Sequence, residues 1–107
     1  MKRKFTGFLL LAVSLFIMNA FPVFAGTWIQ DETTSKWHYY SDSGTALTGW
    51  VQDDDKWYYL DASGTMKTGW IKVDGSWYFC YNDGSMAADT WIDNYYVNPS
   101  GKWTKTR

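Results

Sequence analysis

The 107-residue sequence has little of the side-chain chemistry that most small enzymes use. It contains one histidine, His38, and one cysteine, Cys80. A single cysteine excludes an intrachain disulfide, and one histidine with one cysteine cannot form the clusters that hold zinc. No glycine-rich phosphate-binding loop is present either. We therefore predict a protein that is not an enzyme and needs no metal or other cofactor, with His38 packing at a strand edge and Cys80 filling a small apolar position.

Charge is absent from one long segment near the N-terminus. Basic residues at positions 2–4 precede an apolar run at residues 7–18, as in a secretory signal peptide. We predict a signal peptide at residues 1–25, cleaved after Ala25, and a mature module at residues 26–107. The alternative is an uncleaved membrane anchor, for which the apolar stretch is just long enough. An interior proline and small residues at the end of the stretch favour cleavage, so we expect a secreted protein with no remaining membrane span.

Positive charge is scarce in the predicted mature chain. The leader holds three of the ten Lys and Arg residues and none of the eleven acidic residues, which leaves a net charge of −4. Nucleic acid is therefore not expected as a partner, because its binding requires a basic surface. Eight tryptophans and eight tyrosines accompany this acidic charge. Aromatic faces suit cationic ligands or sugars, and charge alone leaves both open.

Aromatic residues recur along the chain at regular spacing. Four tryptophans open successive units at intervals of 22, 20 and 21 residues: Trp28, Trp50, Trp70 and Trp91. A second set of tryptophans keeps the same phase, and each lies seven residues before a glycine: Trp37 before Gly44, Trp57 before Gly64, and Trp77 before Gly84. A period of this length indicates a repeat protein.

Each unit has the local signals of a β-hairpin. In the second unit, β-branched and aromatic residues at 50–52 and 56–60 flank an acidic bend at 53–55, and turn formers follow at 61–64. We interpret the three aspartates of the bend as a solvated turn rather than paired carboxylates. A single hairpin is marginally stable in water, so the units must bury apolar faces against their neighbours. The sequence predicts an all-β fold, a solenoid of stacked β-hairpins.

Two units carry a recognisable motif. The segments GWVQDDDKWYYLDASGTMKTGW, from Gly49 to Trp70, and GWIKVDGSWYFCYNDGSMAADTW, from Gly69 to Trp91, resemble the cell-wall-binding repeats of choline-binding proteins. The resemblance implies a left-handed superhelical stack. It also implies units at about residues 28–49, 50–69 and 70–90, with residues 91–107 as a cap.

Strand alternation predicts where the aromatic side chains meet. Successive residues of a strand point to opposite faces, so Trp57 should face the next hairpin and approach Tyr78 beside Trp50. In the resembling family, each choline site uses two tryptophans of one hairpin and an aromatic residue of the next. Carried over, the resemblance implies one choline site formed by Trp50, Trp57, Met66 and Tyr78, and a second formed by Trp70, Trp77, Met86 and Tyr95.

The flanking units depart from this pattern. Trp28, Trp37 and Tyr58 could form a weaker third site, but Ala46 replaces methionine there and the turn between the tryptophans is two residues longer. In the last unit, Asn94 occupies the place of Trp57 and Trp103 that of Met66. The second site also lies beside an insertion at residues 87–90.

The function that the resemblance implies is attachment to a surface. We expect a secreted protein that binds choline residues of teichoic or lipoteichoic acids and so associates non-covalently with the bacterial cell wall. One alternative is a glucan-binding surface module, whose aromatic repeats stack on sugar rings. Another is the binding part of a split cell-wall hydrolase. Periodic aromatic residues can also serve packing alone, and one tryptophan can have both roles.

Overall fold

The computed structural model describes residues 26–107, and the predicted signal peptide lies outside these residues. All regular elements in this part are β-strands, which confirms the all-β class. They are β1 (Gly26–Gln30), β2 (Trp37–Ser41), β3 (Gly49–Asp53), β4 (Lys56–Leu60), β5 (Gly69–Val73), β6 (Ser76–Cys80), β7 (Thr90–Ile92), β8 (Tyr95–Val97) and β9 (Trp103–Thr106). Across residues 26–107, no helix suited to crossing a membrane is found.

The strands pair as successive antiparallel hairpins. β1–β2, β3–β4 and β5–β6 are two-stranded, and β7–β8–β9 forms a three-stranded sheet. In each hairpin the unit-opening tryptophan pairs with an aromatic residue of the next strand: Trp28 with Tyr39, Trp50 with Tyr59, Trp70 with Phe79, and Trp91 with Tyr96. The predicted hairpin repeat is therefore confirmed, and each hairpin presents its aromatic residues in the same register.

The turns within the hairpins follow from their aspartates. Asp54 and Asp55 both have positive φ, 56° and 67°, and Asp74 and Gly75 take the same conformation at 50° and 85°. Two consecutive residues with positive φ form the tight turn whose twist matches that of paired strands. Asp and Gly tolerate this conformation better than other residues. Short turns of this kind hold the second and third hairpins in equivalent geometry.

The turns between hairpins are built on a side-chain acceptor. Asp61 Oδ1 accepts hydrogen bonds from Ser63 N at 2.9 Å, Ser63 Oγ at 2.6 Å and Thr65 N at 3.0 Å. The Ser63 hydroxyl is the largest cause of the lowered pKa of Asp61. In the third unit the acceptor lies two positions later in the turn, where Asp83 Oδ1 accepts from Ser85 N and Ser85 Oγ. In the last unit Asn98 takes the role of Asp61. Each of these turns places the residue that follows it beside the preceding hairpin.

Backbone hydrogen bonds join successive units. Met66 N donates to Trp37 O at 2.9 Å, and Met86 N donates to Trp57 O at 2.8 Å. The methionine of one unit is thereby fixed beside the second tryptophan of the unit before it. Its side chain lies over the turn glycine of the unit after its own, because a Cβ at Gly84 would overlap Met66 and one at Gly101 would overlap Met86.

Burial is concentrated between the first two hairpins. Trp28, Tyr39, Val51, Tyr58 and Leu60 form a buried cluster, against which Trp37, Leu47 and Met66 pack. Asp53, expected in a solvated turn, is instead 2% exposed, and its Oδ2 accepts a hydrogen bond from Trp28 Nε1 at 3.0 Å. That expectation was wrong because Asp53, the first of the three aspartates, is the last residue of β3 and faces the first hairpin, whereas the turn itself begins at Asp54.

Two single-copy residues have structural roles. Cys80 is fully buried at the position that Leu60 holds one unit earlier, and burial raises the pKa of its thiol to about 11. His38 lies on β2, and its Nδ1 is 2.7 Å from Gly64 O, so the ring donates a hydrogen bond to the next turn. His38 therefore links successive units, and Cys80 is a buried small side chain, as predicted.

Candidate functional site

The interface between the second and third hairpins contains an aromatic cavity, the central cage. It has a volume of about 290 Å³ and is lined by Trp50, Trp57, Tyr78, Met86 and Ser100. Trp50 meets Tyr78 edge to face, with ring centroids 5.0 Å apart and planes at 66°. Trp57 is 37% exposed. The cage is thus open to solvent along one side while its aromatic walls are fixed by hairpin packing.

The next interface contains a second cavity, the terminal cage. It has a volume of about 260 Å³ and is lined by Trp70, Trp77, Tyr95 and Trp103. Tyr95 is perpendicular to two of its neighbours: its centroid lies 5.7 Å from Trp70 at 81° and 5.8 Å from Trp103 at 84°. All four lining residues are aromatic. The insertion at residues 87–90 therefore leaves room for a cavity at this interface.

The methionines do not lie where the sequence predicted them. Met66, expected beside Trp50 and Trp57, packs instead against the buried cluster of the first two hairpins. Met86, expected in the terminal cage, lines the central one. The reason is that Met86 N donates a backbone hydrogen bond to Trp57 O. The methionine of the central cage therefore belongs to the unit after the two tryptophans, as the tyrosine of that cage does.

Trp103 and Ser100 are lining residues that the sequence analysis did not propose. Trp103 occupies the methionine position of the last unit, so the same shift of one unit places it in the terminal cage. Once the shift is known, the spacing of Trp103 in the sequence is sufficient to find it. Ser100 lies in the last turn and lines the central cage together with Met86, and its repeat position alone gives no indication of a cage.

Comparisons with known proteins identify the family of these repeats. The family described as "Putative cell wall binding repeat" matches residues 48–66, and the family described as "Choline-binding repeat" matches residues 67–103. The choline-binding domain of Spr1274 from Streptococcus pneumoniae is 40% identical, with 73% of this chain and 93% of that domain covered and a TM-score of 0.69. The chain belongs to the choline-binding repeat family.

Longer choline-binding proteins share the same repeats. Choline-binding protein F from Streptococcus pneumoniae is 44% identical over 73% of this chain and 26% of its own, with a TM-score of 0.70. Another structure of that protein, CbpF, is a complex with ipratropium. CbpJ from the same organism is 46% identical over 72% and 26%, with a TM-score of 0.69. The chain spans about a quarter of the length of these two proteins. No match was found among curated protein sequences.

The interface between the first two hairpins is more buried than the two cages. Trp28, Trp37 and Tyr58 come together there, and Trp28 meets Tyr58 at 5.0 Å and 65°, as Trp50 meets Tyr78. However, Trp28 is only 2% exposed and Tyr58 only 4%. The first interface thus combines the aromatic residues of a cage with the burial of a core.

The last repeat places two of its own cations over its aromatic rings. The Arg107 guanidinium lies 4.3 Å from the centroid of the Trp91 ring, and Lys105 Nζ lies 5.0 Å from that of Tyr96. Arg107 Nη2 also donates to Asp93 O at 3.0 Å. Trp91 lies in the position that Trp50 and Trp70 hold in the cages, so the chain's own side chains occupy the last aromatic face.

The chemistry of the two cages favours weakly hydrated cations. Their walls offer aromatic rings and no charged side chain, and an aromatic face attracts a cation through its quadrupole. One cation of the chain lies near a cage ring: Lys72 Nζ is 5.9 Å from the Trp77 centroid. Within residues 26–107, no group of three His, Cys, Asp or Glu residues could hold a metal ion.

Proposed function

We propose that this protein attaches non-covalently to the bacterial cell wall by binding choline residues of teichoic or lipoteichoic acids. The central and terminal cages are the two binding sites. The observation that carries the proposal is the presence, at two successive hairpin interfaces, of open cavities walled by three or four aromatic rings without a charged side chain.

A trimethylammonium group fits such a cavity for physical reasons. It has no N–H donor, so it gains little from polar walls, and its methyl groups can contact ring faces on several sides. Each cation–π contact contributes roughly 0.5–2 kcal/mol, depending on how far the cation is desolvated. The acidic charge of residues 26–107 also attracts cations over longer distances. Membership of the choline-binding repeat family supports the same ligand.

Surface attachment depends on export. The apolar leader at residues 1–25 supplies it by acting as a cleaved signal peptide. The secreted module then acts by binding, on the cell surface, without catalysis of its own.

The test is a comparison of ligands on the purified mature protein. Isothermal titration with choline should show saturable binding, and a quaternary-amine resin should retain the protein until free choline elutes it. Dextran should give no heat of binding, because sugar rings gain no cation–π attraction in these cages. The double variant W57A/W77A should lose retention, whereas Tyr59→Phe, outside both cages, should keep it. Saturable binding of dextran without binding of choline would replace the proposal by the glucan-binding alternative.

A further inference from the structure

The two cages differ in their fourth wall. In the central cage this wall is the thioether of Met86, with Ser100 beside it. In the terminal cage it is the indole of Trp103. Trp103 belongs to β9, the third strand that only the last sheet of residues 26–107 possesses. The additional strand therefore changes the chemistry of one cage and not the other.

Hydrogen bonds hold the Trp103 ring at the cavity. Its Nε1 donates to Lys105 O at 3.0 Å and to Thr106 Oγ1 at 3.3 Å, so the indole is tied to its own strand. The edge-to-face contact with Tyr95 fixes it further. Met86 has three rotatable side-chain bonds and a polarizable sulfur, which makes it an adaptable wall without a ring quadrupole.

The geometry points to Trp103 as an affinity-determining residue that makes the terminal cage the tighter of the two for quaternary ammonium cations. This inference rests on the proposed function and adds to it that the two cages are unequal. The fourth ring contributes one more cation–π contact, and because it is already fixed, little conformational entropy is lost when the ligand binds. The central cage offers dispersion contacts at the same place.

Lys72 works against this effect. Its ammonium group lies beside Trp77, whereas the equivalent residue of the central hairpin is the neutral Gln52. Lys72 is exposed, so solvent weakens its repulsion of a bound cation. Its distance from the cage is nevertheless shorter than the Debye length of about 8 Å at about 0.15 M salt, so part of the repulsion remains. Variants of Trp103 leave Lys72 unchanged and therefore isolate the contribution of the ring.

The experiment is a choline titration that resolves the two cages. In NMR spectra, the indole N–H signals of Trp70 and Trp77 report on the terminal cage, and those of Trp50 and Trp57 report on the central one. We expect choline to saturate the terminal signals at about two- to fivefold lower concentration, as one additional exposed cation–π contact predicts.

Two matched variants separate the aromatic face from the bulk of the side chain. Trp103→Phe and Trp103→Leu both remove the Nε1 hydrogen bonds, but only the first keeps a ring. Trp103→Leu should weaken choline binding in the terminal cage about two- to fivefold, and Trp103→Phe should weaken it less. The neutral isostere 3,3-dimethylbutan-1-ol, which replaces the ammonium nitrogen by carbon, should bind the two variants equally. Trp103 is 39% exposed, so both variants should fold.

Several outcomes would overturn the inference. The ring would have no special role if Phe and Leu weakened choline binding equally. Trp103 would act by burial alone if Trp103→Leu reduced the affinity for choline and for its neutral isostere by the same factor. If both cages saturated at the same choline concentration, their inequality would be refuted while the proposed function stayed intact. Absence of choline binding in the wild-type protein would refute the proposed function itself.

Discussion

At the scale of single residues, one position distinguishes the buried first interface from the open ones. Asp53 and Val73 end equivalent strands of successive hairpins. Asp53 accepts a hydrogen bond from the Trp28 indole, and both residues are buried. Val73 carries no acceptor that it could offer to Trp50. The hydrogen bond between Asp53 and Trp28 therefore helps to keep Trp28 buried, so that the aromatic residues of the first interface pack as a core.

Replacing Asp53 by valine, the residue found one repeat later, should destabilise the protein. The Trp28 N–H would lose its partner while remaining buried, which costs about 1–3 kcal/mol of unfolding free energy. Asp53→Asn keeps an acceptor oxygen and should cost clearly less. Urea unfolding followed by tryptophan fluorescence measures both values. A D53V protein as stable as the wild type would show that this hydrogen bond does not hold the first interface together.

At the scale of the structural element, the turns between hairpins decide where cage residues lie. The hairpins and the approach of Trp57 to Tyr78 could be predicted from the sequence, because both follow from alternation along a strand. The position of Met86 could not, since it depends on a backbone bond between units. The burial of Trp28 could not either, because it involves a side chain from the next hairpin. Local patterns predict elements, and contacts between elements determine which residues share a cage.

The last turn offers a test of this dependence. Gly101 and Gly44 have nearly the same left-handed backbone, with φ of 90° and 87°. A Cβ at Gly101 would overlap the Met86 side chain, whereas one at Gly44 would meet nothing within 4 Å. Alanine at either position should cost about 1–2 kcal/mol of stability through backbone strain. Only Gly101→Ala should also displace Met86 and weaken choline binding in the central cage, by about 1 kcal/mol.

Stability measurements and site-resolved choline titrations distinguish the two variants. Gly44→Ala serves as the control, because it introduces the strain without touching a cage. A folded Gly101→Ala protein with unchanged affinity in the central cage would mean that Met86 is not a wall on which the ligand depends.

At the scale of the whole molecule, the cages occur at consecutive interfaces of one stack. The interface before them is filled by a core, and the aromatic face after them is covered by Arg107 and Lys105. In the part of the chain that the structure describes, its own side chains therefore contact the aromatic residues on either side of the two cages. Within residues 26–107, the open aromatic cavities lie side by side, so one polymer carrying many choline groups can engage both.

Binding to a choline-bearing polymer should therefore exceed binding to free choline by far. Once one cage is occupied, the second binds as an intramolecular step, and avidity adds roughly 10²–10⁴-fold without any new contact. The single variants Trp57→Ala and Trp77→Ala each remove one cage and spare the other. Each should keep the free-choline affinity of its remaining cage while losing most of its retention on choline-decorated cell walls. Wall retention equal to that of the wild type in both folded variants would mean that the cages act one at a time, because two sites that cooperate through a shared polymer must both be intact.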